Sequence, residues 1–415
     1  MNIWTIHLGE QLTIDTNKRL FRNGMLAKAA AAMGCQVLTW APTFSHLEKT
    51  HRIACPGIVQ VERNWRLMLL DCGSYKRNVS LGRIRFHARA VKEFKQHAAK
   101  LSPPDVIYCS LPTPGMARAA VKYAKAHPNT KVVIDIRDLW PDVYITLAPP
   151  VFRGLATQIV NLFFRQNQWI LNEADAITAV SNDYLNWAKN QLVPKNNKPK
   201  RVFLLGYQPQ KHSITSNDPD FLLEAVNKAT EADLSICYVG QFGHFYDLET
   251  VIKAVRLLED RGTRGLSLTL CGSGAKDSKL RALAYGSLII HFTGWIDANQ
   301  ISCILRTHDM GVLSYSKTAT QSLPNKPFEY MAYGVGLISN LDGEMDEILK
   351  QESCGFSFKT GDVEGLAKLI KQLLNDRSLV YSARKNSERF FLEHCNANQI
   401  YEDLTSFLIE ITEKS

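Results

Sequence analysis

The stretch LPNKPFE (323–329) sets a lysine, a proline and a carboxylate within about one helical turn. Proline in a first turn fixes φ and removes an N–H that would have no partner there. The remaining free amides of that helix start, together with the Lys326 ammonium, form an anion site. Glu329, one turn in, suits a pair of vicinal hydroxyls such as a ribose diol. Phosphate plus ribose means a nucleotide. A capped helix with a surface lysine and a glutamate in a local ion pair fits the same residues. Arg137 and Asp138 follow the apolar run KVVIDI (131–136) and so stand at a strand's carboxyl end, where open α/β sheets bind ligands. An ion pair holding the Trp140-Pro141 turn explains them as well.

Other chemistries lack their residues. No G-x-G-x-x-G opens a helix and no G-x-x-x-x-G-K-[ST] occurs, which argues against a dinucleotide dehydrogenase and a P-loop NTPase. CGSGAKDSKL (271–280) reads as a strand-to-helix turn, and DPD (218–220) as a polar turn rather than a metal motif. Nine cysteines are scattered singly, none in C-x-x-C spacing. They suit buried free thiols in a reducing cytoplasm and not a zinc site or a disulfide framework.

The elements that must hold these residues come in two series. Continuous apolar runs, as expected of parallel strands buried on both faces, lie at IWTIHLG (3–9), QVLTWA (36–41), VIYCS (106–110), KVVIDI (131–136) and AITAVS (176–181). Helical patterns between them cover 17–33, closed by Gly34, and 118–127. The second series is SICYVG (235–240), LSLTLCG (266–272), LIIHFTG (288–294), MGVLSY (310–315) and VGLISN (335–340). The pattern predicts an α/β chain of two doubly wound domains, 1–205 and 234–392, with a polar linker over 206–233. A terminal amphipathic helix over 393–415 carries Ile400, Leu404, Phe407, Leu408 and Ile411 on one face and is expected to pack back on the first domain. Such a pair sets the carboxyl ends of both sheets around one cleft.

A length of 415 residues suits two domains, and 45% hydrophobic with 21% charged content is that of a folded globular protein. The sequence predicts no signal peptide and no membrane span, since no run of eighteen apolar residues occurs. Net charge is +9, and it is concentrated: eight basic residues lie between Lys76 and Lys100 against one acid, Glu93. Leu81, Ile84, Ala88, Val91, Phe94 and Leu101 recur at helical spacing, which predicts an amphipathic helix over 81–101 with a basic outer face. Such a face suits solvent, an anionic membrane surface or a polyanion. The absence of interleaved aromatic side chains argues against nucleic acid.

Taken in order, longer stretches resemble the retaining nucleotide-sugar glycosyltransferases of family 4, whose GT-B fold has two Rossmann-like domains facing each other. The nearest group is the bacterial enzymes of O-antigen, capsule and exopolysaccharide assembly. LPNKPFEYMAYG (323–334) is similar to that group's P-N-K-hydrophobic-[FY]-[ED]-Y-M-A-x-G, and IDIRDLWPD (134–142) to its D-I-R-D-L-W-P-E. GEQLTIDTNKRLFR (9–22), YVGQFGHFYDLETVIKAV (238–255), HFTGWIDANQI (291–301) and GFSFKTGDVEGLAKLI (355–370) match further landmarks.

The resemblance implies these roles. Glu329 would bind the donor ribose, with Asn325 beside it in the donor site. Lys326 would face the diphosphate, as would Gly243 and His244. Backbone at Trp295 and Ile296 would contact the base, and amides near Ser322 and Leu323 the donor sugar. Gly9 and Glu10 would lie beneath the reacting centre, with Arg137 and Asp138 serving the sugar or the leaving diphosphate. Transfer would retain anomeric configuration without a required metal or cofactor. Donors would be nucleoside-diphosphate sugars, UDP- or GDP-linked. Acceptors would be glycans or undecaprenyl-diphosphate sugars, met by a cytoplasmic enzyme that is peripheral at the inner membrane face through its basic helix. A nucleotide-sugar epimerase and a non-catalytic nucleotide-sugar-binding protein are the alternatives. The departures are Gln321 at the first carboxylate of the family's E-x7-E, Gln241 at the usual basic residue, and Arg137 where many members have histidine.

Overall fold

The computed structural model describes residues 1–15, 20–52, 55–78, 80–141, 153–210, 215, 218–317, 319 and 323–413. They form two compact units, Met1–Leu204 with Ala397–Ser415, and Leu205–Asn396. Among the described residues every cysteine is free, and all but Cys55 are buried.

The first unit is built on β1 (Asn2–Ile6), β2 (Gln36–Pro42), β3 (Gly57–Glu62), β4 (Trp65–Leu70), β5 (Val106–Leu111), β6 (Lys131–Ile136), β7 (Ala176–Ala179) and β8 (Lys200–Val202). Their order in one sheet is β3-β4-β2-β1-β5-β6-β7-β8. The central strands are parallel and buried on both faces, which is why they read as unbroken apolar runs. Strand β3 runs antiparallel to β4 at the edge and alternates between half-buried and exposed positions. One face of the sheet is covered by the helices Arg22–Ala32 and Ala397–Glu413, where Leu26, Ala27 and Ala30 share a core with Leu404, Phe407 and Leu408. Trp4 and Trp40 point to the other face and meet Phe94 of the helix Leu81–Ala98.

That helix docks by a different face from the one its spacing suggests. Phe86, Ala90, Phe94 and Ala98 are buried, whereas Leu81 and Ile84 are 72% and 65% exposed and Ala88 is exposed too. Aromatic partners decide the rotation: Phe86 packs on Phe44 and Tyr75, and Phe94 on Trp4 and Trp40. Ring burial outweighs two aliphatic side chains. Arg85, Arg89, Lys92 and Lys95 are exposed beside Leu81 and Ile84, so the outer face is both basic and apolar.

The second unit holds β9 (Leu234–Val239), β10 (Leu266–Cys271), β11 (Ile290–Gly294), β12 (Met310–Leu313), β13 (Gly336–Ser339) and β14 (Gly355–Ser357). The order β11-β10-β9-β12-β13-β14 is parallel throughout and reverses direction at β9, which places a ligand crevice outside the carboxyl ends of β9 and β12. The segment expected as a linker belongs to this unit and contains the helix Asp220–Glu231, whose Leu222, Ala225 and Ala229 are buried. The terminal helix starts at Ala397, after a π-helical turn over Phe391–Cys395.

Candidate functional site

In the second unit the chain leaves β9 at Gly240, whose φ of 147° suits glycine. A Cβ there would lie 2.5 Å from Nζ of Lys326, and one on Gly272 would collide with the Gly240 carbonyl oxygen. The CGSG glycines therefore let two strand-end loops approach, and the Phe242 N–H donates to the Ser273 carbonyl at 2.9 Å.

Lys326 opens the six-residue helix Lys326–Met331, which Tyr330 fixes by packing on Gly311 and accepting the Val239 N–H at 2.8 Å. Its N-cap residue, Asn325, makes no side-chain capping hydrogen bond. Lys326 Nζ lies 3.8 Å from the ring centre of Tyr238 and 4.5 Å from that of Tyr246. It is buried and has no hydrogen-bond partner among the described residues. Burial lowers its pKa to about 7, with the Glu329 carboxylate pulling the other way. Ring faces attract a cation but cannot replace hydrogen bonds, so this amine is held ready for an acceptor.

The other expected residues surround these loops. Gly243 and His244 follow β9, with His244 exposed and open space around Gly243. After β11, Trp295 is 73% exposed and Ile296 is buried. Leu323 is buried, Asn325 exposed and Glu329 half-buried. Ser322 and Gln321 lie outside the described residues. A cavity of 610 Å³ shares Tyr246 with the Lys326 cage and is lined by Lys253, Lys276, Lys279 and Lys317; Glu249 already pairs with Lys276 and Lys279. That cluster leaves no periodic sign in the sequence, because its lysines come from three separate elements.

In the first unit Glu10 and Arg137 are brought together as an ion pair at the carboxyl ends of β1 and β6. The second carboxylate of Arg137 is Asp135, with Nε at 3.9 Å. Asp135 is fully buried and receives two hydrogen bonds from Arg22, at 2.8 and 2.9 Å. Arg22 also donates to the Phe203 and Leu204 carbonyls, and Thr178 donates to Asp135. Burial alone would raise both carboxyls, yet Arg137 holds Glu10 below its ordinary value and Arg22 does the same for Asp135. The Asn23 backbone N–H donates to Glu10 at 3.0 Å. Asp138 is exposed and takes no part in this network.

His7 and Arg22 escaped the sequence reading. The Gly9 N–H donates to Nδ1 of His7 at 3.0 Å, so the neutral ring carries its proton on Nε2. Burial, aided by Arg137, lowers the His7 pKa to about 4 against the pull of Glu10. A histidine before a G-E pair was the available signal. Arg22 had none, since it sat in a helical pattern without a local partner.

Two family descriptions match this chain, "Glycosyl transferase 4-like domain" over residues 22–198 and "Glycosyl transferases group 1" over 222–390. One falls in each α/β unit. The chain belongs to the GT-B glycosyltransferases. This glycosyltransferase is 22% identical over 294 residues to the putative glycosyltransferase EpsD of Bacillus subtilis, covering 69% of the chain and 72% of the relative. It is 28% identical over 187 residues to the lipopolysaccharide core biosynthesis glycosyltransferase LpsE of Rhizobium meliloti, covering 43% and 52%. The chain spans only about half the length of LpsE and of two further glycosyltransferase relatives that it matches. Among solved structures, sucrose-phosphate synthase from Thermosynechococcus elongatus superposes with a TM-score of 0.72 at 18% identity over 100% of both chains. Anabaena HepE in complex with UDP gives 0.64 at 13% identity over 99% of both. Within the glycosyltransferase, Gln241 is exposed and Lys326 Nζ stands over Gly240, so a lysine from the helix after β12 supplies a cation beside the loop that follows β9.

Proposed function

We propose that this glycosyltransferase moves a sugar from a nucleoside-diphosphate sugar, UDP- or GDP-linked, to a glycan or undecaprenyl-diphosphate-linked acceptor in surface polysaccharide assembly. The observation that carries the donor reading is the buried Lys326 amine, without a hydrogen-bond partner among the described residues and one turn from Glu329. The UDP bound to HepE supports a nucleotide donor, and the lipopolysaccharide core role of LpsE supports the pathway.

A donor diphosphate gives Lys326 the acceptor oxygens it lacks and draws the amine to its charged form. That charge then offsets the negative charge that grows on the leaving diphosphate as the anomeric carbon turns positive. Glu329 takes the ribose diol, backbone at Trp295 and Ile296 the base, and Gly243, His244, Ser322, Leu323 and Asn325 the phosphates and sugar. Lys326 and backbone amides serve in place of a required metal. The first unit takes the acceptor: Glu10 is fixed by Arg137 and Asn23, and Arg137 in turn by Asp135. Retention follows from front-face attack in which a diphosphate oxygen assists loss of the acceptor proton, and Arg137 and Asp138 serve the sugar or the leaving diphosphate. Contact with an anionic bilayer is made by the basic and apolar outer face of Leu81–Ala98. No helix among the described residues is long and apolar enough to cross a membrane.

The test is thermal stabilisation by UDP, GDP, ADP, CMP and dTDP, with and without Mg²⁺, for the unaltered chain and for Glu329→Ala and Lys326→Ala. Ligand bound to the native state raises the melting temperature by mass action. A shift with one nucleoside diphosphate, independent of Mg²⁺ and lost in both variants, is expected. No shift with any nucleotide overturns the donor site.

A further inference from the structure

A cationic cluster in the first unit takes no part in the donor chemistry. After β2 the chain reaches His46 and Lys49, both half-buried, and Lys49 holds a left-handed backbone with φ of 60°. Non-glycine residues keep that conformation only when their surroundings impose it, and such residues gather at functional sites. The Lys49 ammonium donates to Oδ1 of Asn78 at 2.7 Å and to Nδ1 of His46 at 3.3 Å, and lies 4.5 Å from the Tyr75 ring centre. Since lysine only donates here, His46 Nδ1 accepts and Nε2 carries the proton as a donor. Arg83, in the first turn of Leu81–Ala98, binds the Asn78 carbonyl at 2.9 Å.

Neither Lys49 nor Arg83 pairs with a carboxylate among the described residues. Burial, then the neighbouring cations, lowers the His46 pKa to about 4, and the same causes lower Lys49. Partly desolvated cations that repel one another are stabilised by an anion between them. The cluster borders the acceptor side of the site: a Cβ on Gly9 would stand 3.4 Å from His7 Cε1 and 3.9 Å from His46 Cδ2, so Gly9 keeps open the gap between the two rings. Leu81 and Ile84 flank Arg83 in sequence and are exposed, with no acid on the outer face of their helix.

We propose that Lys49, Arg83 and His46 bind the diphosphate of a lipid-linked acceptor, whose chain leaves over Leu81 and Ile84. The identification of an acceptor rests on the transferase reading above. Two cations and an imidazole N–H match a diphosphate in charge and donors, and the two exposed aliphatic side chains match what is attached to it. Free phosphate has no use for Leu81 and Ile84.

The experiment works in a Lys326→Ala background, which removes the donor-side cation. Inorganic pyrophosphate, farnesyl diphosphate and phosphatidylglycerol vesicles are titrated separately, with Lys49→Asn, Arg83→Gln and the Leu81→Ser/Ile84→Ser pair as variants. Asparagine tolerates the left-handed backbone at position 49, and thermal melts confirm folding. Farnesyl diphosphate is expected to bind, with Lys49→Asn and Arg83→Gln each weakening it by roughly tenfold or more. The serine pair is expected to weaken farnesyl diphosphate and leave pyrophosphate unchanged. UDP affinity of the chain with Lys326 intact stays the same in Lys49→Asn and Arg83→Gln, which separates this site from the donor reading. Unaltered farnesyl diphosphate binding in both cation variants overturns the proposal. So does equal affinity for pyrophosphate and farnesyl diphosphate, which marks a free-phosphate site, or a loss confined to vesicles, which marks a lipid headgroup site.

Discussion

In the first unit Arg22 is buried against Asp135, and the half-buried Arg137 pairs with Glu10; in the second, the Lys326 amine is buried against two phenol rings with no hydrogen-bond partner among the described residues. All three cations stand near the carboxyl ends of a parallel sheet. Paired charges answer each other's desolvation and stiffen the framework that carries Glu10. An unpaired amine keeps its desolvation cost until a ligand arrives, so removing it should harm binding and spare the fold. Position at a strand end therefore does not assign a cation's role; its partners do.

The largest effect should come from breaking the framework. Arg22→Met leaves the buried Asp135 with only the Thr178 hydroxyl and the more distant Arg137, and should cost about 3–5 kcal/mol in urea unfolding. An unchanged midpoint would remove the distinction between the two units. Lys326→Met should weaken nucleoside diphosphate binding by about 1.5–3 kcal/mol in calorimetry, the range for a hydrogen bond to a charged group, while unfolding stability holds or rises.

The pH dependence sharpens the same contrast. Lys326 has its folded pKa lowered to about 7 from 10.5, so between those values the unfolded chain binds the extra proton. Its contribution to apo stability therefore rises with pH from about 7 to 10.5 and is least favourable below 7. Diphosphate favours the charged amine, so binding at pH 8 should take up protons, and affinity should fall as pH rises above 7. Calorimetry in buffers of different ionisation enthalpy measures the uptake, which should vanish in Lys326→Met. Smallest of all, Leu81→Ser and Ile84→Ser should each move unfolding stability by no more than about 0.5 kcal/mol, because both side chains are exposed. Vesicle co-sedimentation should nonetheless fall.

Much of the fold was legible because buried parallel strands read as unbroken apolar runs; KVVIDI matches β6 residue for residue. The β3–β4 hairpin was not, because β3 alternates at an edge and resembles a polar loop. The helix at 81–98 was legible and its rotation was not, since Phe86 is buried by Phe44 and Tyr75, which are distant or irregularly spaced in sequence. At the site, Lys326 and Glu329 could be picked out by motif. The cage of Tyr238 and Tyr246 around Lys326 depends on a contact across roughly eighty residues, and the Arg22–Asp135 pair on one across 113. Long-range pairing of charges leaves no periodic trace in a single sequence.

The helix Ala397–Glu413 completes the core of the first unit, whereas the second is one continuous segment from Leu205 to Asn396. During synthesis the second unit can therefore close first, while Leu26, Ala27 and Ala30 wait uncovered for Leu404 and Leu408. A stop codon after Asn396 would leave the second unit intact and turn the first into a chaperone client.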